Sequence, residues 1–130
     1  MKIDKLMLTS CALIALFASC KEDPLDSPFI TISTPTINQT IESKDSVRIS
    51  AIIEPRNTSV LEYTVSVKGA KNASIYESHR SCDCGGINVV NIQRSFVYDP
   101  KKTTDLILEI RAKLESGAEI RETVSFTLTK

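Results

Sequence analysis

The residues best suited to chemistry lie in one short segment near the middle of the chain, His79-Arg80-Ser81-Cys82-Asp83-Cys84-Gly85-Gly86. Thiolate and imidazole groups are the ligands that soft metal ions such as Cu(I) and Zn(II) prefer. His79, Cys82 and Cys84 are nevertheless one ligand short of a closed zinc site, and their spacing matches no established zinc motif. The sequence therefore offers a metal site here only as an alternative.

The two cysteines of this segment have three fates: a local disulfide, metal ligation, or free or intermolecular thiols. Alternate residues of an extended segment lie near the upper limit of the ~4.4–6.8 Å Cα separation that a disulfide accepts, so a Cys82–Cys84 bond would be strained and easily reduced. An oxidising compartment favours that bond over free thiols. We expect the local disulfide and no resident metal cofactor.

A third cysteine, Cys20, ends an apolar run at the start of the chain. Lys2 and Lys5 precede an apolar core from Leu6 to Phe17, and the small residues Ala18 and Ser19 follow it. This order is typical of a cleaved secretory signal. The run is shorter than the ~20 apolar residues that a membrane-spanning helix needs.

The residues before Cys20, Leu16-Phe17-Ala18-Ser19, resemble the lipobox of bacterial lipoproteins. The resemblance implies cleavage after Ser19 and a covalent lipid on Cys20, which would hold the protein on a membrane. Leu8-Thr9-Ser10-Cys11 is a competing match. Cleavage there would leave the apolar residues 12–17 on the mature protein, so we assign Cys20.

Lys21-Glu22-Asp23 follows the lipidated cysteine and resembles the export tag of Bacteroidota lipoproteins. It implies an outer-membrane protein whose domain faces the cell surface, with a periplasm-facing domain as the alternative. The expected organisation is a signal peptide over residues 1–19, a lipidated cysteine and tether over residues 20–28, and one domain over residues 29–130. A polar tether with two prolines suits a short extended spacer.

Alternation of apolar and polar residues predicts an all-β domain. The predicted inward rows are Val47, Ile49, Ala51 and Ile53; Leu61, Tyr63, Val65 and Val67; Leu106, Leu108, Ile110, Ala112 and Leu114; and Ile120, Val124, Phe126 and Leu128. Weaker strands are expected over residues 29–33, 73–78 and 87–98, with a bulge or bend near Arg94, where the apolar parity changes. Gly117 supplies the turn of the final hairpin.

About seven strands at this spacing predict an immunoglobulin-like antiparallel β-sandwich. The final hairpin, residues 108–117, resembles the closing strands of bacterial Ig-like domains. The whole chain resembles small Bacteroidota outer-membrane lipoproteins that carry a single Ig-like domain of unknown function. Relatives of that kind often carry several histidines in their middle loops, whereas this chain has only His79.

Composition argues against several function classes. His79 is the only histidine available as a general base, and residues such as Glu62, Glu109 and Glu119 take outward strand positions, so we expect no enzyme. Removal of residues 1–19 leaves 14 basic and 15 acidic residues, scattered singly along strands, which disfavours nucleic acid. Without tryptophan, sugar stacking is not supported either.

The expected function is that of a membrane-anchored surface lipoprotein that acts as a non-catalytic interaction or accessory module for a protein partner. The alternative is a metal-binding or redox-responsive lipoprotein that uses His79, Cys82 and Cys84. One modification is a further candidate: Asp45-Ser46-Val47 resembles the Bacteroidota O-glycosylation pattern, with Ser46 as acceptor. The competing interpretation is that Asp45 and Ser46 only begin a strand.

The lipid anchor gives the first testable prediction. Cys20→Ala should abolish incorporation of labelled palmitate, because the thiol of Cys20 is the acceptor of the diacylglyceryl group. Cys11→Ala is the matched control and should label like the wild type. Labelling that survives Cys20→Ala, or that disappears with Cys11→Ala, would show that the assignment is wrong.

Overall fold

A computed structural model describes residues 27–81 and 89–130 of the chain. These two ranges contain eight strands: β1 (Phe29–Thr34), β2 (Thr40–Glu42), β3 (Val47–Glu54), β4 (Val60–Lys68), β5 (Ser74–Ser81), β6 (Val90–Phe96), β7 (Thr104–Leu114) and β8 (Glu119–Thr129). A single 3-10 turn, Ala70–Asn72, links β4 to β5. No helix in the described ranges has the length and apolar character to cross a bilayer.

The strands form two sheets that pack face to face. One sheet has three strands in the order β1-β3-β6, and the other has five in the order β2-β8-β7-β4-β5. Every pair is antiparallel except β2 with β8, which is parallel. The predicted all-β sandwich is therefore confirmed. Strand β2 was not predicted, because three residues are too few to show an alternation.

One hydrophobic core lies between the two sheets. The predicted inward rows of β3 and β7 are confirmed, since each of their residues is buried. Phe126 and Leu128 of β8 join the same core, while Ile120 and Val124 are half-buried nearer the hairpin. Gly117 closes that hairpin at φ +95°, a conformation that a side chain would strain.

The predicted inward position of Leu61 in β4 is wrong. Leu61 is 49% exposed, whereas Val60 beside it is 1% exposed. The register of β4 against β7 shifts between Val60 and Glu62, which leaves Leu61 as an extra residue. A bulge of this kind changes the parity of a strand by one. From Tyr63 onward the predicted parity holds, and Tyr63, Val65 and Val67 are buried.

The predicted bulge near Arg94 is also wrong. Strand β6 pairs with β3 in unbroken register from Val90 to Phe96, so Arg94 keeps the inward parity of Ile92 and Phe96. The part of the predicted strand at residues 87–88 lies outside the described residues. The bulge was predicted because a charged residue, Arg94, occupies an inward position and so interrupts the apolar row of β6. The long side chain of Arg94 reaches polar partners at the rim of the core and remains half-buried.

Side chains from both sheets close the side of the sandwich between β5 and β6. The rings of Tyr76 and Phe96 stack with centroids 5.0 Å apart. Arg94 Nη2 donates to the Tyr63 hydroxyl at 3.1 Å, and Arg94 Nε donates to Ser78 Oγ at 3.4 Å. Arg94 thus links the three-stranded sheet to two strands of the five-stranded sheet.

Strand β7 offers a matched pair of substitutions that tests these faces. Leu108 is 0% exposed and its neighbour Ile107 is 49% exposed on the opposite face. Leu108→Asp should cost at least about 3 kcal/mol of unfolding free energy, because it buries an unpaired charge. Ile107→Asp should cost less than about 1 kcal/mol. Equal losses in denaturant titrations of the two variants would contradict the assigned faces.

Candidate functional site

His79 lies on β5, an edge strand of the five-stranded sheet, and its side chain is on the outer face of that sheet. In the register of β4 with β5, His79 is opposite Thr64. His79 Nδ1 lies 3.0 Å from Thr64 Oγ1, and His79 Nε2 lies 3.7 Å from Glu62 Oε2. The side chain of His79 remains 51% exposed. Two side chains of β4 therefore hold an imidazole that solvent still reaches.

Thr64, His79 and Glu62 follow the order of a nucleophile, a base and an orienting carboxylate. Their surroundings do not suit catalysis, because they lie on the open face of a sheet, where water weakens electrostatic stabilisation. The Glu62 to His79 separation also exceeds hydrogen-bond length. Glu62 is shared with Lys113, whose Nζ lies 3.4 Å from Glu62 Oε1. The arrangement positions His79 and does not activate Thr64.

Cys82 and Cys84, the predicted partners of His79, lie outside the described residues. Ser81, the last residue of β5, is opposite Glu62 in register, and Cys82 is the next residue along the chain. The contact between Glu62 and His79 could not be predicted from the sequence, because only the pairing of β4 with β5 brings the two residues together. Across residues 27–81 and 89–130, no group of three or more His, Cys, Asp or Glu side chains is arranged to hold a metal ion.

The other predicted site residues lie at the start of the chain or in a turn. Cys20 and the export residues Lys21, Glu22 and Asp23 are outside the described residues. Ser46 is described: it is exposed and immediately precedes β3. The turn before it is held by a hydrogen bond from the Asp45 amide to the Glu42 carbonyl at 3.1 Å. Ser46 is thus accessible to solvent, and its glycosylation stays a prediction.

A network of ion pairs covers the outer face of the five-stranded sheet. Arg111 on β7 contacts Glu109 Oε1 at 3.0 Å and Glu119 Oε1 at 3.8 Å, and Arg121 on β8 contacts Glu109 Oε2 at 3.7 Å. The hydrogen bond from Arg111 to Glu109, together with the charge of Glu109, raises the pKa of Arg111 above its ordinary value. The predicted outward placement of Glu62, Glu109 and Glu119 agrees with this face, on which charges of both signs alternate.

A depression of about 520 Å³ lies at the end of this face that is remote from the β7–β8 hairpin. Ile107 forms an exposed apolar part of its wall, and Thr127 Oγ1 donates to Asp105 Oδ1 at 2.8 Å. This depression was not predicted from the sequence, although Ile107, an apolar residue at an outward position of β7, was a signal for it. Thr104 Oγ1 also donates to the Lys102 carbonyl at 2.8 Å, so two hydroxyls of the wall are already paired.

Known structures include proteins with a similar fold. No protein-family model matches the chain, and no curated protein matches it. CopC from Methylosinus trichosporium OB3b has a similar structure, with a TM-score of 0.52 and 10% sequence identity, over 78% of this chain and 93% of CopC. At that identity the likeness concerns the fold, and it supports the two-sheet sandwich described above.

Proposed function

We propose that this protein is a non-catalytic binding module, held at the outer membrane by a lipid on Cys20, which captures a partner chain along the edge of β5. The observation that carries this proposal is the unpaired side of β5. That strand spans eight residues, Ser74–Ser81, and within the described residues it pairs only with β4. Unpaired backbone N–H and C=O groups along such an edge are a template for an added strand.

The other edges of the sandwich suit this role less well. Strand β2 has three residues, and the register of β1 against β3 shifts between Ile32 and Thr34. On β6, the Arg94 guanidinium donates to the Gln93 carbonyl at 2.8 Å and occupies a backbone acceptor. The part of β8 that β2 leaves uncovered includes Glu119, Arg121 and Glu122. Charged residues of this kind protect an edge against pairing.

Strand β5, with eight residues, is longer than β1, β2 and β6. It contains no proline, and its register with β4 is continuous from Tyr76 to Ser81. Stacking of Tyr76 on Phe96 and the bond from Arg94 to Ser78 hold β5 against the rest of the sandwich. An incoming strand would therefore meet a preformed edge, which lowers the entropic cost of association.

Site-specific photo-cross-linking in the cells of origin tests this proposal. A photoreactive phenylalanine in place of Glu77, exposed on β5, should form a covalent adduct with a partner chain. The matched control is the same substitution at Lys113, which is exposed on the same sheet face but lies on the interior strand β7. Adducts at residue 77 and not at residue 113 support the proposal. Equal adducts at both positions, or none at residue 77, contradict it.

A second candidate function is the binding of a soft metal ion by His79, Cys82 and Cys84, or a redox response of the two cysteines. It is favoured by the position of the His79 imidazole, three residues before Cys82 and 3.7 Å from the carboxylate of Glu62, which is itself opposite Ser81 in register. Imidazole, carboxylate and thiolate together would suit Zn(II). Metal binding here would use side-chain ligands, whereas strand addition at β5 would use backbone N–H and C=O groups.

Intact mass spectrometry under non-reducing conditions tests the metal site. Without a bound metal, we expect a protein ~2 Da lighter than its reduced form, because Cys82 and Cys84 form a disulfide. Two free thiols with one bound metal ion, lost in His79→Ala and kept in Arg80→Ala, would instead favour the metal site. Arg80 is the matched control because it is the exposed neighbour of His79 on the same strand.

A further inference from the structure

Strand β5 carries complementary side chains on the two sides of Ser78. Glu77 and His79, which flank Ser78, lie on the outer face of the five-stranded sheet. Tyr76 and Arg80, two residues before and two after Ser78, lie on the face turned toward the other sheet. A carboxylate therefore mirrors an imidazole about Ser78, and an aromatic ring mirrors a guanidinium. Both combinations are favourable when they lie opposite each other on adjacent strands.

These side chains have few charged partners within one molecule. Neither Glu77 nor Arg80 forms an ion pair within residues 27–81 and 89–130. His79 lies 3.7 Å from the carboxylate of Glu62, and its side chain is 51% exposed. The charged groups of β5 are therefore accessible to a strand added beyond the edge.

Two-fold symmetry restricts how two identical edges can pair. In an antiparallel pair of identical strands, the axis is perpendicular to the sheet and passes beside one residue, which lies opposite the same residue of the second copy. Residues equally far before and after this central residue then lie opposite each other. A central residue at either end of residues 76–81, where the register of β5 with β4 is continuous, would leave most of that segment without a counterpart.

Ser78 is the central residue whose register brings unlike groups together. Glu77 of each copy then lies opposite His79 of the other. Tyr76 of each copy likewise lies opposite Arg80 of the other. With Glu77 or Arg80 at the centre, two like charges would lie directly opposite each other, which is unfavourable.

Arg94 disfavours the remaining register, in which His79 is the central residue. The Arg94 guanidinium donates to Ser78 Oγ at 3.4 Å. Centring on His79 would place Arg80 of the second copy opposite Ser78, with two guanidiniums beside one hydroxyl. Centring on Ser78 places Arg80 opposite Tyr76 instead, about 7 Å further along the strand.

We propose that the partner of β5 is a second copy of this protein, and that the two β5 strands pair antiparallel with Ser78 opposite Ser78. This inference rests on the proposed role of β5 as a binding edge. The two five-stranded sheets then form one continuous sheet. The carboxylate–imidazole contacts lie on its outer face and the ring–guanidinium contacts on its inner face, and symmetry forms each contact twice.

The same symmetry reverses the strand direction between the two copies, so β1 begins at opposite ends of the combined sheet. A tether over residues 20–28 spans at most about 30 Å. The two sheets of a sandwich pack only about 10 Å apart. Both lipid anchors can therefore reach one bilayer when the strands lie along its surface.

An exchange of the carboxylate and the imidazole tests this register. The measurement is the dissociation constant of the dimer, from sedimentation equilibrium of the mature lipoprotein in density-matched non-ionic detergent. His79→Glu places two carboxylates opposite each other at both symmetry-related contacts and should weaken the dimer at least about tenfold, which corresponds to about 1.4 kcal/mol. Adding Glu77→His to His79→Glu restores the unlike pair, and should return the constant to within about threefold of wild type.

Thr123→Glu is the matched control for the added carboxylate. Thr123 is exposed on the outer face of β8, which lies beyond β7 and β4 from the edge at β5. We expect the dissociation constant of this variant to change less than about twofold. Circular dichroism of all variants should equal that of the wild type.

Photo-cross-linking in the cells of origin identifies the partner. A photoreactive phenylalanine in place of Ser81, the last residue of β5, leaves the four paired side chains unchanged. It should give an adduct with the mass of two copies, attached near Ile75 of the second copy, which lies opposite residue 81 in the proposed register.

The inference is overturned if the wild-type protein is monomeric, if the folded double variant dissociates as readily as His79→Glu, or if Thr123→Glu weakens the dimer as much as His79→Glu does. Adducts at residue 81 with a different protein alone would overturn the second copy as partner and leave the binding edge supported. The absence of any adduct at residue 81 would contradict the proposed function as well.

Discussion

Burial of the inward row of β7 is the interaction on which the rest of the structure depends. Leu106, Leu108, Ile110 and Leu114 are fully buried between the sheets. At about 1.5–3 kcal/mol each, their burial contributes roughly 6–12 kcal/mol before conformational entropy is subtracted, as much as the net stability of a small domain. Strands β4 and β8 pair with β7 on its two sides. Once that row is buried, the outer-face positions of three adjacent strands are determined.

The polar interactions of the molecule follow from this packing. Because β7 presents Glu109, Arg111 and Lys113 outward, charges from β4 and β8 meet them across the strands and form the ion-pair network of the five-stranded sheet. Exposed pairs of this kind contribute little to stability. Their effect is on the surface, where the carboxylate of Glu62 lies between Lys113 and His79. The three-stranded sheet differs, since Arg48 and Arg94 meet no carboxylate among the described residues.

Similarity to CopC at 10% identity illustrates how little sequence this architecture demands. Two sheets can pack whenever inward positions are apolar and of suitable volume, and many residue combinations satisfy that condition. A shared sandwich therefore does not carry a shared function, which resides in particular side chains at edges and faces. In this protein the proposed binding edge, strand β5, lies at the side of the five-stranded sheet and not in the core.

The sequence by itself determined the fold class and the faces of its most regular strands. In β3 and β7 every second residue is apolar. Because successive side chains of a strand point to opposite faces, this alternation identifies both the strand and its buried face. Where a local exception intervened, the alternation failed. Leu61 is apolar yet exposed because of a bulge, and Arg94 is charged yet faces inward because its long side chain reaches Tyr63 and Ser78. Neither exception can be read from neighbouring residues, since both depend on the opposite strand or sheet.

Only the tertiary structure decided which distant residues meet. His79 was recognisable from its residue type, but its contacts with Thr64 and Glu62 arise from the register of β4 with β5. The same holds for Arg94, which is far in sequence from Tyr63 and Ser78 and meets them because the two sheets pack face to face. Alternation along a strand reports burial, which is a local property. Pairing and register depend on the whole core, so the functional surfaces appear only after the sheets have assembled.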